Sequence, residues 1–279
     1  MTSLPAISNL KVRRTRFDPA QVTGRHYFGG QSPLMSHVLT ALSMTFPAGE
    51  QFFVHSVRNV REQVSDPQLQ QQISAFIGQE AMHSHAHAHF NQALDRPDYD
   101  LQQYQMQMAQ GLVTLKTRSP RRQLAATVAY EHFTAMIAAH LLSQPQLFDG
   151  FDDNLRQLWL WHAVEELEHK SVAFDVYQQV FGNDQAASLA QRRRSMRTVS
   201  VGFVAGIASM TTTLLWQDRQ ASLGSIRAMA LNLRDSMLLG RMVLSLLPEY
   251  LAFYRAGFHP QQTDHQALIS VWRQRLELA

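Results

Sequence analysis

The chain contains no cysteine among its 279 residues, which excludes disulfides, thiolate metal sites and cysteine nucleophiles. Stretches with the two-residue hydrophobic alternation of β-strands are nearly absent, so a sheet is not expected. Residues 1–18 include no apolar run of signal-peptide length. We therefore expect a largely helical protein in the cytoplasm.

Charged residues are also scarce: they make up 17% of the chain, with a formal net charge of +3. The basic residues occur in short runs at residues 11–14, Arg121–Arg122 and Arg192–Arg194. Exposed aromatics do not alternate with these runs, as nucleic-acid binding would require. We expect the runs to be solvated helix ends and expect no nucleic-acid partner.

Hydrophobic residues recur at the helical period from about Ser32 onward, which predicts an all-α protein. The chain length suits one helical domain over 1–279. Within it we expect an irregular N-terminal arm (1–30), a four-helix core with an extra short helix (31–182) and a C-terminal helical extension (183–279). Pro47 lies inside the first helix and predicts a kink just before Glu50. Helices are predicted from Pro33 to about Glu62, Pro67 to Leu94, after Asp100 to Lys116, Pro120 to before Pro145, Asp152 to Val180, Gln185 to Trp216, Leu223 to Tyr254, and after Asp264.

Two Glu-x-x-His tetrads, each preceded along the chain by a single glutamate, form the clearest chemical pattern. Each residue of a helix turns the side-chain direction by ~100°, so the His of a tetrad points about 60° from its Glu. Buried carboxylates and imidazoles are costly without partners. Four helices that each turn such groups inward therefore predict a pair of metal ions between them. The residues are Glu50, Glu80 with His83, Glu131, and Glu166 with His169.

Additional histidines lie near the same helix faces. His162 stands four residues before Glu166 and is predicted to be a third imidazole ligand. His87 points between Glu80 and His83, and we expect it behind the ligands or in contact with substrate rather than on a metal. His85 and His89 point to the opposite side. Glu168 faces too far round to compete with Glu166, and Glu165 is expected to be peripheral.

The alternative interpretation of a Glu-x-x-His tetrad is an ordinary exposed helix face. Here, however, Phe46, Phe52 and Phe53 flank the first glutamate, and apolar residues also surround the other three. Carboxylates set in so much apolar sequence are not expected to be solvated. Four of them balance the charge of two divalent ions, and carboxylates with imidazoles suit iron or manganese.

At these residues the chain resembles the ferritin-like di-iron carboxylate proteins. The trio His162, Glu166 and His169 further resembles the p-aminobenzoate N-oxygenase branch, in which an extra histidine joins the site. The stretches FPAGEQFF, FIGQEAMHSHAH, YEHFTA and EELEHKSVAFDVY look like a bacterial family of predicted metal-dependent hydrolases. The resemblance implies a ferritin-like bundle with extra C-terminal helices.

The resemblance also implies the seven residues as ligands of two iron ions, with a Mn/Fe pair or zinc as alternatives. It further implies O2 as a substrate and an unidentified electron donor. The leading function is oxidation or oxygenation of a small, apolar or aromatic molecule. The runner-up is a dinuclear hydrolase with a metal-activated water, and a non-catalytic bundle is a third interpretation. A homodimer stays open.

Residues 198–216 contain no charge and are flanked by arginines. This length could span a bilayer, but the small and hydroxyl-bearing residues in it weaken insertion. A helix that covers the bundle, peripheral membrane contact, and a true span are the three interpretations. If the segment packs over the metal site, its small residues could leave room for an apolar substrate.

Overall fold

The computed structural model describes residues 10–15, 17–22 and 24–278. These residues form helices and connecting turns without a β-strand, apart from two isolated bridges. The prediction of an all-α protein is confirmed. The helices are α1 (Pro33–Arg58), α2 (Pro67–Leu94), α3 (Gln102–Lys116), α4 (Pro120–Leu142), α5 (Asp153–His169), α6 (Val172–Phe181), α7 (Gln185–Gln217), α8 (Arg219–Leu223), α9 (Ile226–Ala252) and α10 (Gln266–Arg275).

The starts of the core helices follow from local chemistry. Proline occupies the first turn of α1, α2 and α4, where its missing N–H is not needed and its fixed φ suits the helix. Asp66 caps α2 by accepting from the Gln68 amide at 2.8 Å. Asp152 caps α5 in the same way through Asn154.

Helix α1 continues through Pro47 because a side chain of α2 supplies the hydrogen-bond donor that the proline nitrogen lacks. Without an N–H on Pro47, the Ser43 carbonyl has no partner within the helix. The Asn91 side-chain amide donates to that carbonyl at 3.2 Å. Ser84 donates to the Pro47 carbonyl at 3.0 Å. These bonds fix α1 against α2 on the turn before Glu50.

Two helix boundaries differ from the predicted ones. Helix α1 ends at Arg58 rather than near Glu62, because buried Val60 turns the chain inward. The predicted helix Asp152–Val180 is divided into α5 and α6 by a turn at Lys170. There the Lys170 amine donates to the Thr263 carbonyl at 2.6 Å. A contact with a residue so distant in sequence leaves no trace in the local pattern.

The apolar core consists of two clusters with a polar layer between them. One cluster includes Phe46, Ala86 and Leu167, and the other includes Phe52, Ile77 and Val172. In α1, α2 and α4, the glutamates and histidines of the predicted metal site fall between residues of the two clusters. In α5, His162 and Glu166 lie among residues of the first cluster, and His169 lies between Leu167 of the first and Val172 of the second. The polar layer is therefore closed by apolar packing above and below.

The C-terminal helices wrap this core. Helices α7 and α9 both pack on α1 and α4, and α10 packs on α5. Helix α9 is joined to the start of α1 by polar bonds: Asn232 accepts from the Leu34 amide at 3.0 Å, and Asp235 accepts from the Met35 amide at 3.3 Å. These bonds satisfy amides that have no partner within α1.

Among the described helices, α7 is the one that is long and apolar enough to cross a membrane. In its apolar 18-residue stretch, 22% of the residues are buried. Core helices of soluble proteins meet the same criterion. One side of α7 rests on the bundle through residues such as Met210 and Leu214, while Val201 and Val204 are exposed. The helix therefore covers part of the core but is not enclosed.

Candidate metal centre

The structure brings all seven of the predicted ligands together in the polar layer. Helix α1 contributes one of them, α2 two, α4 one and α5 three. None is more than 5% exposed, so water does not solvate any of them appreciably. They are Glu50, Glu80, His83, Glu131, His162, Glu166 and His169.

Their donor atoms form two neighbouring groups. In one, a ligand atom from each of Glu50, His83 and His162 lies within 4.8 Å of the others. In the second group, Glu80 and His169 meet Glu131 within the same distance. A further set at this distance, Glu80, His83 and Glu166, connects the two groups.

Most of the inward-facing atoms lack a hydrogen-bond partner in the described part of the chain. A buried polar atom without a partner costs about 1–3 kcal/mol, and folded proteins contain few of them. Here such atoms are concentrated at one point and are nearly all anionic or imidazole donors, the chemistry of a metal site. They are both oxygens of Glu50, Glu80 and Glu131, Oε2 of Glu166, Nδ1 of His83 and Nε2 of His169.

Each imidazole is held by its other ring nitrogen. His83 Nε2 lies 3.1 Å from Glu165 Oε2. His169 Nδ1 lies 3.1 Å from the Gln79 amide oxygen. Such bonds fix the ring and its tautomer, which leaves the inward nitrogen with a lone pair for a metal.

His162 is held by a relay that includes His87. Ser43 donates to the Asn91 side-chain oxygen at 2.7 Å and lies 2.8 Å from His87 Nδ1. The Ser43 oxygen can then accept the Nδ1 proton of His87. The Nε2 of His87 is left to accept from His162 Nδ1 at 2.8 Å. This tautomer of His162 leaves Nε2 with the lone pair that a metal would use, and in the structure that nitrogen lies 3.0 Å from Glu166 Oε1. His87 lies behind His162, not among the inward donors.

An ionic network that sequence reasoning missed lies behind the cluster. Arg13 of the N-terminal arm donates to Glu165 at 3.0 Å and to Glu168 at 2.8 Å. Glu168 also accepts from Gln79 at 3.0 Å and from Arg273 of α10. The expectation of a solvated basic run is therefore wrong for Arg13. Its partners are more than 150 positions away, so no local signal could have revealed them.

The same expectation is wrong for Arg192, which is 1% exposed. Its guanidinium stacks on Phe174, Phe253 and Phe258, with its carbon 4.9–5.3 Å from the ring centres. Arg192 also donates to the Arg255 carbonyl at 2.7 Å. A guanidinium can be buried in this way because aromatic faces attract the cation.

The carboxyl groups of the cluster differ strongly in acidity when no metal is bound. Burial, reinforced by the neighbouring carboxylates, raises the pKa of Glu50 and Glu131 well above the ordinary value. Burial also raises the pKa of Glu80. It opposes ionisation of Glu166 too, but the imidazoles led by His169 lower the pKa of Glu166 well below the ordinary value.

The imidazoles diverge as well. Burial disfavours a charged His83, yet the hydrogen bond to Glu165 and the nearby carboxylate of Glu166 raise its pKa to about 9. His162 is the opposite case, because burial and the charge of His83 lower its pKa to about 4. Without metal, the layer therefore combines protonated carboxyls with charged imidazoles. Metal binding must displace these protons.

A second group of potential ligands serves as a comparison. His26, His37 and Asp218 bring donor atoms together where the N-terminal arm meets α1 and the end of α7. These atoms are already bonded: His37 Nδ1 lies 2.6 Å from the Tyr99 hydroxyl, and Asp218 accepts from Ser222 at 2.8 Å and contacts both imidazoles. The donor atoms of this second group therefore already have hydrogen-bond or ion-pair partners, unlike those of the polar layer.

A narrow apolar cavity of about 50 Å³ adjoins the polar layer. Glu50 and Glu166 are its only charged lining residues among those described. Helix α7 lines one side of it, with two glycines, Gly202 and Gly206, among the lining residues. Most of the other lining residues are apolar, including Phe46, Phe53, Leu112, Phe203, Ile207 and Met210.

A family model described as "predicted metal-dependent hydrolase" matches residues 11–264. Two variants of an R2-like ligand-binding oxidase, each with an aerobically reconstituted Mn/Fe cofactor, share the fold with a TM-score of 0.50. They are 14% and 13% identical to this chain, and each alignment covers 86% of this chain and 88% of theirs. No curated protein gives a significant match. The predicted ferritin-like bundle with extra C-terminal helices is confirmed.

Replacement of His87 by leucine should weaken metal binding by about 10–100-fold, because the His162 Nδ1 proton would lose its acceptor. Competition with a chelator measures this affinity. The matched control is His89→Leu, which removes an exposed histidine from the same helix and should leave binding unchanged. Equal affinities for the two variants would refute the relay.

Glu131→Gln should stabilise the metal-free protein near neutral pH. The pKa of Glu131 is higher in the folded protein than in the unfolded chain. As the pH rises above the ordinary carboxyl pKa, the unfolded chain releases this proton first, so the wild-type protein loses stability. The glutamine variant cannot ionise and therefore lacks this penalty. Thermal melts of metal-free protein should show a difference that grows from about pH 5 to pH 8. With metal bound, the order should reverse.

Proposed function

The chain belongs to the family of predicted metal-dependent hydrolases, and we propose that it is a di-metal enzyme that uses O2 to oxidise or oxygenate a small, apolar or aromatic substrate. The observation that carries this proposal is the set of buried, partnerless carboxylate and imidazole atoms in the polar layer. Two metal ions would compensate these atoms together, and no other group among the described residues would do so.

The donor positions support an assignment for two ions. Glu50, His83 and His162 would hold one ion, and Glu131 with His169 would hold the other. Glu80 and Glu166 lie between the groups and would contact both. Carboxylates with imidazoles favour iron or manganese, so two irons are our first choice, with a Mn/Fe pair as the next and zinc as the last. When bound, such ions supply the redox chemistry that O2 reduction requires.

The protein's own residues would exclude water and position the substrate. The cavity leads to Glu50 and Glu166 and is otherwise mainly apolar, so it favours a molecule without charge. The water-sized space within it is limited, which favours O2 and a slender substrate. Oxidation or oxygenation that consumes O2 also calls for electrons, so an unidentified reductant is part of the proposal.

Hydrolysis is the runner-up, and the description of the family favours it. A dinuclear hydrolase orients a metal-activated water and needs polar groups that bind the scissile part of its substrate. Apart from Glu50 and Glu166, the described cavity lining offers only the hydroxyls of Thr45, Tyr130 and Thr134. This lining favours oxidation over hydrolysis of a polar ester or phosphate.

Metal-free protein that is loaded with Fe(II) under anaerobic conditions should take up O2 and gain a visible absorption band when air is admitted. Zinc-loaded protein should stay colourless. Oxygen-electrode and absorption measurements test this directly, with His89→Leu as the variant expected to behave like the wild type. Hydrolysis of model esters by zinc-loaded protein, without O2 uptake by the iron form, would instead support the runner-up.

Gly206→Leu should slow O2 uptake by the iron-loaded protein several-fold without changing its metal content. No heavy atom lies within 4 Å of a Cβ added at Gly206, so the larger side chain can narrow the cavity without displacing the ligands. Gly206→Ala is the control: it should keep the uptake rate and stabilise α7 by about 1 kcal/mol. Unchanged O2 uptake in the leucine variant would show that the cavity has no part in the reaction.

A further inference from the structure

The outward face of α9 carries a stripe of apolar side chains along almost its whole length. Its members follow one another at intervals of three, four or seven residues, which places them on one side of a helix. They are between 42% and 83% exposed. An apolar face of this length without cover is unusual for a monomer. The stripe consists of Ile226, Leu233, Met237, Leu244, Leu247 and Leu251.

The stripe is not needed to attach α9 to the bundle. Only Ala228 and Asp235 of this helix are buried. Asp235 and Asn232 attach it to α1 through the bonds described above. Helix α9 thus has one side that is held on the bundle by these bonds and by Leu238, Leu239 and Tyr250, and another side that is apolar and exposed in the described structure.

Charge along the stripe is of one sign. Arg227 directly follows the stripe residue Ile226, and Arg241 lies two heptads later on the same edge of the stripe; both are exposed. Between them, Arg234 is paired with the buried Asp235 at 2.8 Å and donates to the Gly29 carbonyl at 3.1 Å. The exposed charge of this edge therefore comes from Arg227 and Arg241, and the other acid of α9, Glu249, is half-buried. An apolar face edged by arginines matches an anionic bilayer surface, where acyl chains take up the stripe and phosphates attract the guanidinium groups.

We propose that α9 binds the surface of an anionic lipid bilayer, with the stripe at the boundary between headgroups and acyl chains. This inference does not depend on the metal chemistry. Helix α7 adjoins α9, because Ser200 contacts the Tyr250 hydroxyl at 3.0 Å. The exposed apolar residues Val201 and Val204 follow Ser200 on α7, so further apolar surface lies near the C-terminal half of α9.

A second copy of the chain is a poorer occupant on grounds of charge. If the stripe formed the seam of an antiparallel helix pair, arginines of one copy would face those of the other. In a parallel pair, they would face the positions of Met229, Ser236 and Val243. Neither arrangement offers an acidic partner, whereas helix pairs of this type normally match opposite charges beside the seam.

Vesicle flotation of the full-length, metal-loaded protein tests the proposal. The protein should float with vesicles of phosphatidylcholine and phosphatidylglycerol and bind weakly to phosphatidylcholine alone. High salt should reduce the binding, because it screens the arginine–phosphate attraction. The paired change Arg227→Gln and Arg241→Gln should weaken binding by about 30-fold.

Leu233→Glu with Leu244→Glu should abolish flotation. The matched control is Met106→Glu, which places a charge on an exposed apolar position of α3 and should leave flotation intact. Metal content and helical circular dichroism verify that every variant is folded. Absence of binding to either vesicle, or loss of binding in the Met106 variant to the same extent, would overturn the proposal. A dimer in light scattering that both leucine changes dissolve would overturn it in favour of self-association.

Discussion

Mutual repulsion of four carboxylates in a buried layer is the constraint on which the rest of this structure depends. Glu50, Glu80, Glu131 and Glu166 cannot all be ionised there without positive charge close by. Among the described residues of the layer, only His83 and His169 are imidazoles whose pKa is raised above the ordinary value. Protons must therefore complete the balance until cations replace them, and folding and metal binding are coupled through the same groups.

The inward-facing residues could be predicted from the sequence because helix geometry fixes them. A Glu and a His three positions apart share a face wherever the helix lies, and apolar neighbours reveal that the face is buried. The partners behind them follow no such rule. Arg13 reaches Glu165 from the N-terminal arm, and Gln79 is an ordinary glutamine until the fold places it beside His169. The break at Lys170 was missed for the same reason, since it depends on a carbonyl at Thr263.

The groups behind the imidazoles would make two bound ions inequivalent. The outer nitrogen of His83 is hydrogen-bonded to a carboxylate, Glu165, which increases the electron density of the ring. The outer nitrogen of His169 is hydrogen-bonded to the neutral amide of Gln79. His162 rests on a neutral imidazole in the relay through His87. One group of donors contains two imidazoles and the other only one. The two positions would thus differ in charge and in donor strength before any substrate arrives.

The need to balance charge in the buried layer falls on some helices and not on others. Helices α1, α2, α4 and α5 carry the ionisable groups of the layer, whose charges must balance one another, so a change in one of these groups disturbs the others. Helix α7 faces the layer with glycines and apolar residues and can vary in shape without leaving a charge unpaired. Helix α9 is attached by Asn232 and Asp235 and by apolar packing of Leu238, Leu239 and Tyr250, and it keeps its apolar stripe exposed. Properties that require adaptation, such as substrate fit and surface binding, are therefore best sought in α7 and α9, because changes there leave the charge balance of the core intact.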